Sequence, residues 1–288
     1  MPSPVGRNPA DGSILADMRL VSLVCSNTEI VHALGMAHHL VGVDDHSDHP
    51  ADVVATLPRL GPELDIDVGR VLELKPDLVL ASLSVPGHER VVESLEREGL
   101  PLLVLDPTCL AQVLQDIRTV ARILYVQARG ERVVREMQVA LRKEGERRRK
   151  VSSPDPGRLS GERLPTLLIE WWPKPVIAPG RLSWVHDLLD LVGARNPLGE
   201  EKVRSRPIPD EEVARMAPDA VILSWCGVDP VKYRPDVVFR NPLWQEVPAL
   251  KNQQVHCISE AYLGRPGPRL VEGARALGKV VDAVVSRA

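Results

Sequence analysis

Cys25 ends an apolar run, residues 20–24, and Ser26-Asn27-Thr28-Glu29 follows at once as the start of a stretch with helical spacing. A thiol beside a helix amino terminus has a lowered pKa and is a candidate nucleophile. That chemistry also needs a base and an orienting group, and spacing does not put His32 beside the thiol. Ser26 and Glu29 fit the S-x-x-E capping pattern, so helix capping is the expectation for both. A second group is Asp44-Asp45-His46-Ser47-Asp48-His49-Pro50. Its imidazoles and carboxylates are metal-ligand types, with His46 and His49 as the candidates; the same residues after a strand also make a solvated turn. The third group is aromatic. Of five Trp, three Tyr and one Phe, only Tyr125 precedes position 171. Trp171, Trp172 and Trp225 come just where apolar strands end, and Trp184 follows a loop. Together they form a wall suited to a large, flat, partly apolar ligand.

Two copies of one pattern position these groups. Residues 72–82, LELKPDLVLAS, are echoed by 214–224, ARMAPDAVILS. In each a helix end meets Pro-Asp and then an apolar strand ending in serine. The strand runs lack alternation, as in a parallel sheet covered on both faces. Strands at 20–24, 78–81 and 102–105 match strands at 166–169, 220–223 and 255–258, with helices predicted near 28–36, 87–98, 184–192 and 209–216. A short strand at 40–43 precedes the histidine group. The order argues for two α/β lobes, each a parallel sheet flanked by helices. Apolar stripes at Val113, Ile117, Val120 and Leu124, then at Val133, Met137, Ala140 and Leu141, predict two helices broken near Val126. We therefore divide the chain into a flexible tail (1–18), an N-terminal lobe (19–126), a connecting helix (127–150), a loop (151–165) and a C-terminal lobe (166–288). A long helix between lobes is expected to limit their relative motion. Ligands of parallel sheets gather beyond the carboxyl ends of the strands, which selects Cys25, Ser26, Asn27, Ser82 and Ser84 in the first lobe. Asp106, Pro107 and Thr108 belong to the same first-lobe set; in the second the rule selects Glu170, Trp171, Trp172, Ser224, Trp225, Cys226, Ser259 and Glu260, with Tyr262 close behind and Trp184 added by the loop before it.

Composition narrows the function. The 288 residues are 44% hydrophobic and 26% charged with net charge −3, which argues against nucleic-acid binding. The basic piece GERRRK, 145–150, reads as a solvated helix end. Four scattered cysteines without C-x-x-C spacing argue against a structural zinc site. No run reaches membrane-spanning length. The polar start has no secretory pattern, so the expectation is a cytoplasmic protein, or a periplasmic or cell-envelope one if a leader has been removed.

The segments SLVCSNTEIVHALG, VGVDDHSDHP, LPRLG, LELKPDLVLAS, EWW, APDAVILSWCG and AYLGRPGPRLVEG, in this order, resemble the cobalamin-binding proteins of ABC importers. These sit within the wider group of helical-backbone metal and siderophore receptors. The resemblance spans 19 to about 281. It implies a periplasmic-binding-protein-like fold, with two lobes joined by one backbone helix, and no catalysis. Cobalamin or a related corrinoid would lie in the cleft between the lobes. Trp171, Trp172, Trp225 and Tyr262 would pack on the macrocycle, while Ser26, Asn27, Ser82 and Ser84 bond its amides. Asp44-x-His46 also resembles the corrinoid-ligating D-x-H-x-x-G pattern, with His49 where glycine belongs. Haem, an iron–siderophore or a metal ion is the alternative ligand, with Arg181, Arg265 and Arg269 as partners for an anionic one. A thiol enzyme built on Cys25 is the further alternative. In the family each lobe offers a glutamate to the membrane permease. Here Glu211 fills that position in the second lobe and Gly69 stands in the first, with Asp65 and Asp67 nearby as substitutes, which puts permease docking in doubt.

Overall fold

The computed structural model describes residues 18–152 and 163–286, apart from the side chains of 148–152. The expected tail thus falls almost wholly outside the described residues, as do the middle of the 151–165 loop and the side chains of the second half of the basic piece. Two compact units make up the chain. One comprises residues up to Pro107 with Leu114–Val134, the other Thr108–Val113 with Arg135–Ala288.

The first unit runs β1 (Leu20–Ser22), α1 (Cys25–Ala33), β2 (Leu40–Val43), α2 (Ala51–Val54), α3 (Val68–Glu73), β3 (Leu78–Ser82), α4 (His88–Arg97) and β4 (Leu102–Leu105). Its sheet has the order β2-β1-β3-β4, and every pair is parallel. Two further helices, α5 (Leu110–Ile123) and α6 (Gln127–Ser152), each begin in one unit and end in the other. Tyr125, at φ 55°, makes the predicted break between them.

The second unit contains β5 (Leu167–Glu170), β6 (Trp172–Pro173), β7 (Val176–Pro179), α7 (Trp184–Leu191), β8 (Ser205–Ile208), α8 (Asp210–Met216) and β9 (Ala220–Leu223). After these come α9 (Pro235–Phe239), α10 (Pro248–Lys251), β10 (Val255–Cys257), α11 (Glu260–Leu263) and α12 (Leu270–Val285). Its parallel sheet, β10-β9-β5, repeats the β4-β3-β1 part of the first sheet. A second sheet, β6-β7-β8, is antiparallel and was not expected.

The repeated Pro-Asp has a physical role. Asp77 accepts the backbone N–H of Arg19 at 2.8 Å, and Asp219 accepts that of Thr166 at 2.7 Å. Each carboxylate thus holds the residue just before the neighbouring strand. The residues just before Pro-Asp, Lys75 and Ala217, both turn left-handed at φ 46°, so the two helices stop in the same way. The missing alternation is explained too. Leu167, Ile169, Ala220 and Ile222 enter one core cluster, and Leu168, Val221 and Leu223 enter another on the opposite face. Both faces bury apolar side chains, so both parities must be apolar.

Helix α12 lies close on α11. A Cβ at Gly273 would come within 2.2 Å of the Tyr262 carbonyl oxygen, a backbone atom that cannot rotate away. Alanine favours a helix over glycine by about 1 kcal/mol, but the clash outweighs this. We expect Gly273→Ala to destabilise by about 2 kcal/mol, read as a lower urea midpoint. An unchanged midpoint would show that the contact yields freely.

Candidate functional site

In the first unit the expected residues gather at the carboxyl ends of β1 and β3. Helix α1 begins at Cys25 with Val24 as its cap and no side-chain cap hydrogen bond, so the capping role expected of Ser26 and Glu29 is not found. The helix starts earlier than the pattern implied and puts Ser26 in its first turn. Asn27 instead donates to the Ala81 carbonyl at 3.0 Å and ties α1 to β3. Ser82 and Ser84 share a 2.8 Å hydrogen bond. Cys25 is buried, its Sγ 3.9 Å from the Asp44 carboxylate.

Asp44, at 0% exposure, organises the histidine loop. It accepts the His46 N–H at 2.9 Å and the Ser47 hydroxyl at 2.5 Å, and Thr28 joins Ser47 to Ser22 by 2.8 Å bonds. Burial pushes its carboxyl above the ordinary range, with the Ser47 and His46 bonds opposing. The Asp-His-Ser sequence therefore builds a turn on a buried acid. His46 is exposed and His49 meets the edge of the His32 ring at 5.3 Å. Among the described residues no group of three or more His, Cys, Asp or Glu could hold a metal ion, so the His46 and His49 metal reading gains no geometry.

In the second unit the chain leaves β5 through Glu170-Trp171-Trp172. Trp172 opens the antiparallel sheet opposite Ile177 and is 44% exposed. Trp171 is half-buried, its ring 6.3 Å from that of Trp184. Its buried indole N–H has no hydrogen-bond partner among the described residues, nor has the Ser224 hydroxyl at the end of β9. Trp184 differs from expectation. It is buried, and its indole donates to the Leu263 carbonyl at 2.7 Å, which makes it core packing on the first turn of α7. Arg265 is a second correction. It is buried against Glu260, with its Nε at 3.0 Å and an Nη at 2.5 Å from one carboxylate oxygen, so it carries no uncompensated charge to an anionic ligand. Cys226 is exposed, with its N–H on the Trp171 carbonyl at 3.1 Å. Tyr262 lies under the Arg269 guanidinium at 4.9 Å.

Sequence reasoning missed a buried chain that ties this edge together. Glu170 accepts the Trp225 indole N–H at 2.8 Å, the Tyr233 hydroxyl donates to the Trp225 carbonyl at 3.3 Å, and the Glu260 N–H donates to that hydroxyl at 3.2 Å. Burial pushes Tyr233 up to about 12 and Glu170 up to about 7, the Trp225 bond opposing the latter and the charge of Asp210 adding to it. Strand-end position puts Glu170 and Glu260 on this edge; the hydrogen bonds that link them leave no mark in the sequence.

Among the described residues Cys25 has a carboxylate, Asp44, beside it. Sequence comparison identifies the family. The profile of the periplasmic binding protein family matches residues 20–262. The chain belongs to that family. It is 26% identical over 266 residues to the uncharacterized ABC transporter substrate-binding lipoprotein YvrC of Bacillus subtilis, covering 91% of this chain and 79% of that one. It is also 26% identical over 265 residues to the vitamin B12-binding protein of Pectobacterium carotovorum, covering 90% and 86%. Among solved structures, the periplasmic heme-binding protein RhuT from Roseiflexus sp. RS-1 superposes with a TM-score of 0.77 at 25% identity, over 93% and 99% of the chains.

Like these relatives, this family member is a binding protein and not an enzyme, and the thiol-enzyme reading of Cys25 falls. The cytoplasmic expectation gains no support, because these relatives are named as a lipoprotein and a periplasmic protein. Among the described residues no helix is long and apolar enough to cross a membrane.

Proposed function

We propose that this protein binds cobalamin or a related corrinoid in the cell envelope, as a substrate-binding protein of an ABC importer. The observation that favours this ligand is the buried Arg265–Glu260 pair, which withdraws one of the three arginines an anionic ligand would use. Haem presents anionic propionates and many siderophore complexes are acidic, and both call for an unneutralised cation. Corrinoid side-chain amides are uncharged and ask for hydrogen bonds instead. The Trp171 indole N–H and the Ser224 hydroxyl are of the type that would supply them. Trp172, on β6, presents the apolar surface for the macrocycle, and Tyr262 is its second aromatic.

In this reading Trp184 supports Trp171 from behind, while Cys25, Ser26, Asn27, Ser82 and Ser84 shape the first unit's edge. Docking to a permease would rest on Glu211, exposed at the second position of α8. The equivalent position of α3 is Gly69, where an added Cβ would meet only the Asp67 carboxylate oxygen at 3.3 Å. That site has room for a side chain and lacks one.

Titration with hydroxocobalamin tests the proposal. A stoichiometric red complex with quenched tryptophan fluorescence is expected, with Trp172→Ala weakening binding about tenfold, the equivalent of about 1.4 kcal/mol. Tighter binding of haemin or ferrioxamine than of hydroxocobalamin would transfer the function to the alternative ligand.

A further inference from the structure

The second unit holds a cavity of about 580 Å³ on the side of the antiparallel sheet where Val176 and Ile208 are buried. That volume is within the range of small-molecule sites, roughly 300–1,000 Å³. Val176, Ile208, Val238 and Trp244 give it apolar walls, and the exposed residues Lys174 and Arg240 stand at its rim. Its deep polar group is Glu170. This side chain is 2% exposed, and one carboxylate oxygen accepts the Trp225 indole. The other oxygen has no hydrogen-bond partner among the described residues, although Glu170 lines the cavity.

A buried carboxylate with one oxygen unmatched, set in apolar walls, calls for a hydrogen-bond donor carried on an apolar body. We propose that this cavity is a second binding site, for a small organic cation whose ammonium group bonds Glu170 while its apolar body packs on Trp244, Val176 and Ile208.

The surrounding charges fit that assignment. Asp210, at the start of α8, faces Glu170 and adds a second negative charge. Lys174, in the β6–β7 turn, and Arg240, after α9, are the opposing cations. Arg240 is held by Asp236 at 2.7 Å on the surface. Arg240 is thus neutralised and Lys174 is exposed to screening solvent, so the rim repels an ammonium group weakly while Glu170 and Asp210 attract it. Burial, with the charge of Asp210 adding to it, holds the Glu170 carboxyl at about 7, with the Trp225 bond opposing, so an ammonium ligand binds its ionised form.

The cavity shares no lining side chain with those assigned to the corrinoid, and the experiment keeps the two sites apart. Phenethylamine is the probe, titrated into the full chain by calorimetry, with 3-phenylpropionate as the anion of matched shape. We expect phenethylamine to bind and 3-phenylpropionate to bind at least tenfold more weakly. Glu170→Gln, which keeps an acceptor for Trp225, is expected to weaken phenethylamine at least tenfold. Affinity is expected to fall about tenfold for each pH unit below about 7, because the ligand then competes with a proton. Val237→Trp, at the exposed mouth of the cavity, should block phenethylamine without touching the core. Saturating phenethylamine is expected to leave hydroxocobalamin titrations unchanged. Equal binding of the amine and the acid, wild-type affinity in Glu170→Gln, or no saturable binding of phenethylamine up to about 10 mM would overturn the assignment. Displacement of phenethylamine by hydroxocobalamin would overturn it as well, by making the cavity part of the corrinoid site.

Discussion

Trp244→Ala is expected to lower stability by about 3–5 kcal/mol. Trp244 is 2% exposed and packs in the cluster formed by the back of the parallel sheet, β7 and β8. Its indole donates to the Asp210 carbonyl at 3.1 Å and so holds the first turn of α8. Alanine removes the ring and leaves that volume beside an existing cavity, so the neighbours have little reason to collapse into it. Trp244→Phe separates the two contributions. It keeps most of the packing and drops the hydrogen bond, for an expected loss of about 1 kcal/mol. Urea unfolding gives both values. Neither change should alter hydroxocobalamin affinity in the folded protein, since Trp244 lies in the core and away from the ligand edge. A Trp244→Ala protein of near wild-type stability would mean that this side of the core is not built as described.

The second large effect is a dependence on pH. The carboxyl of Glu170 is raised to about 7 from its ordinary 4.5. Below 4.5 both folded and unfolded chains carry its proton, and the group contributes nothing. Between 4.5 and about 7 the folded chain holds a proton that the unfolded chain has released, so stability falls as pH rises through this window. Above it the folded protein bears a buried charge at a cost of about 3 kcal/mol. Glu170→Gln has no proton to lose and keeps an acceptor for Trp225. The variant is therefore expected to be the more stable protein at pH 8, and the gap should close as the pH is lowered to about 4.5. The difference between the two unfolding curves isolates this group from the other carboxylates. A gap that is constant with pH, or that widens in acid, contradicts the assignment.

The parts of the fold legible in the sequence were those whose physics leaves a composition mark. Strands β3 and β9 are buried on both faces, and their unbroken apolar runs betray them. Pro-Asp marked two helix ends because its carboxylate serves a neighbouring strand in both copies. The antiparallel sheet left no such mark. Its strands are two to four residues long and carry Pro173, Pro179 and Pro207, which read as turns. The aromatic wall was half legible. Position after a strand singled out Trp171 and Trp172, but only three-dimensional packing separates Trp184, buried under Leu263, from the exposed Trp172. Arg265 looked like an anion receptor because its neutralising partner, Glu260, lies five residues back on α11, and only the turn after that helix brings the two side chains together. Cys25 looked reactive for a related reason: the acid beside it, Asp44, comes from the next strand.

The way the two units share the chain bears on how the protein is made. Val113 is part of the core cluster that contains β5, α7 and α12, and the Leu110 N–H reaches Asp187 at 2.6 Å, yet residues 114–134 return to the first unit. On the ribosome the second unit's earliest piece is therefore synthesised before the first unit's last helix. It must wait for some fifty residues of further chain before β5 emerges, whereas domains in series complete one another's cores in turn. A fragment beginning at residue 135 would lack the turn of α5 that closes this core, and one ending at 107 would lack the helical cover supplied by 114–134. Neither half is a natural unit for separate expression, and shuffling one half between relatives would require carrying residues 108–134 across with both.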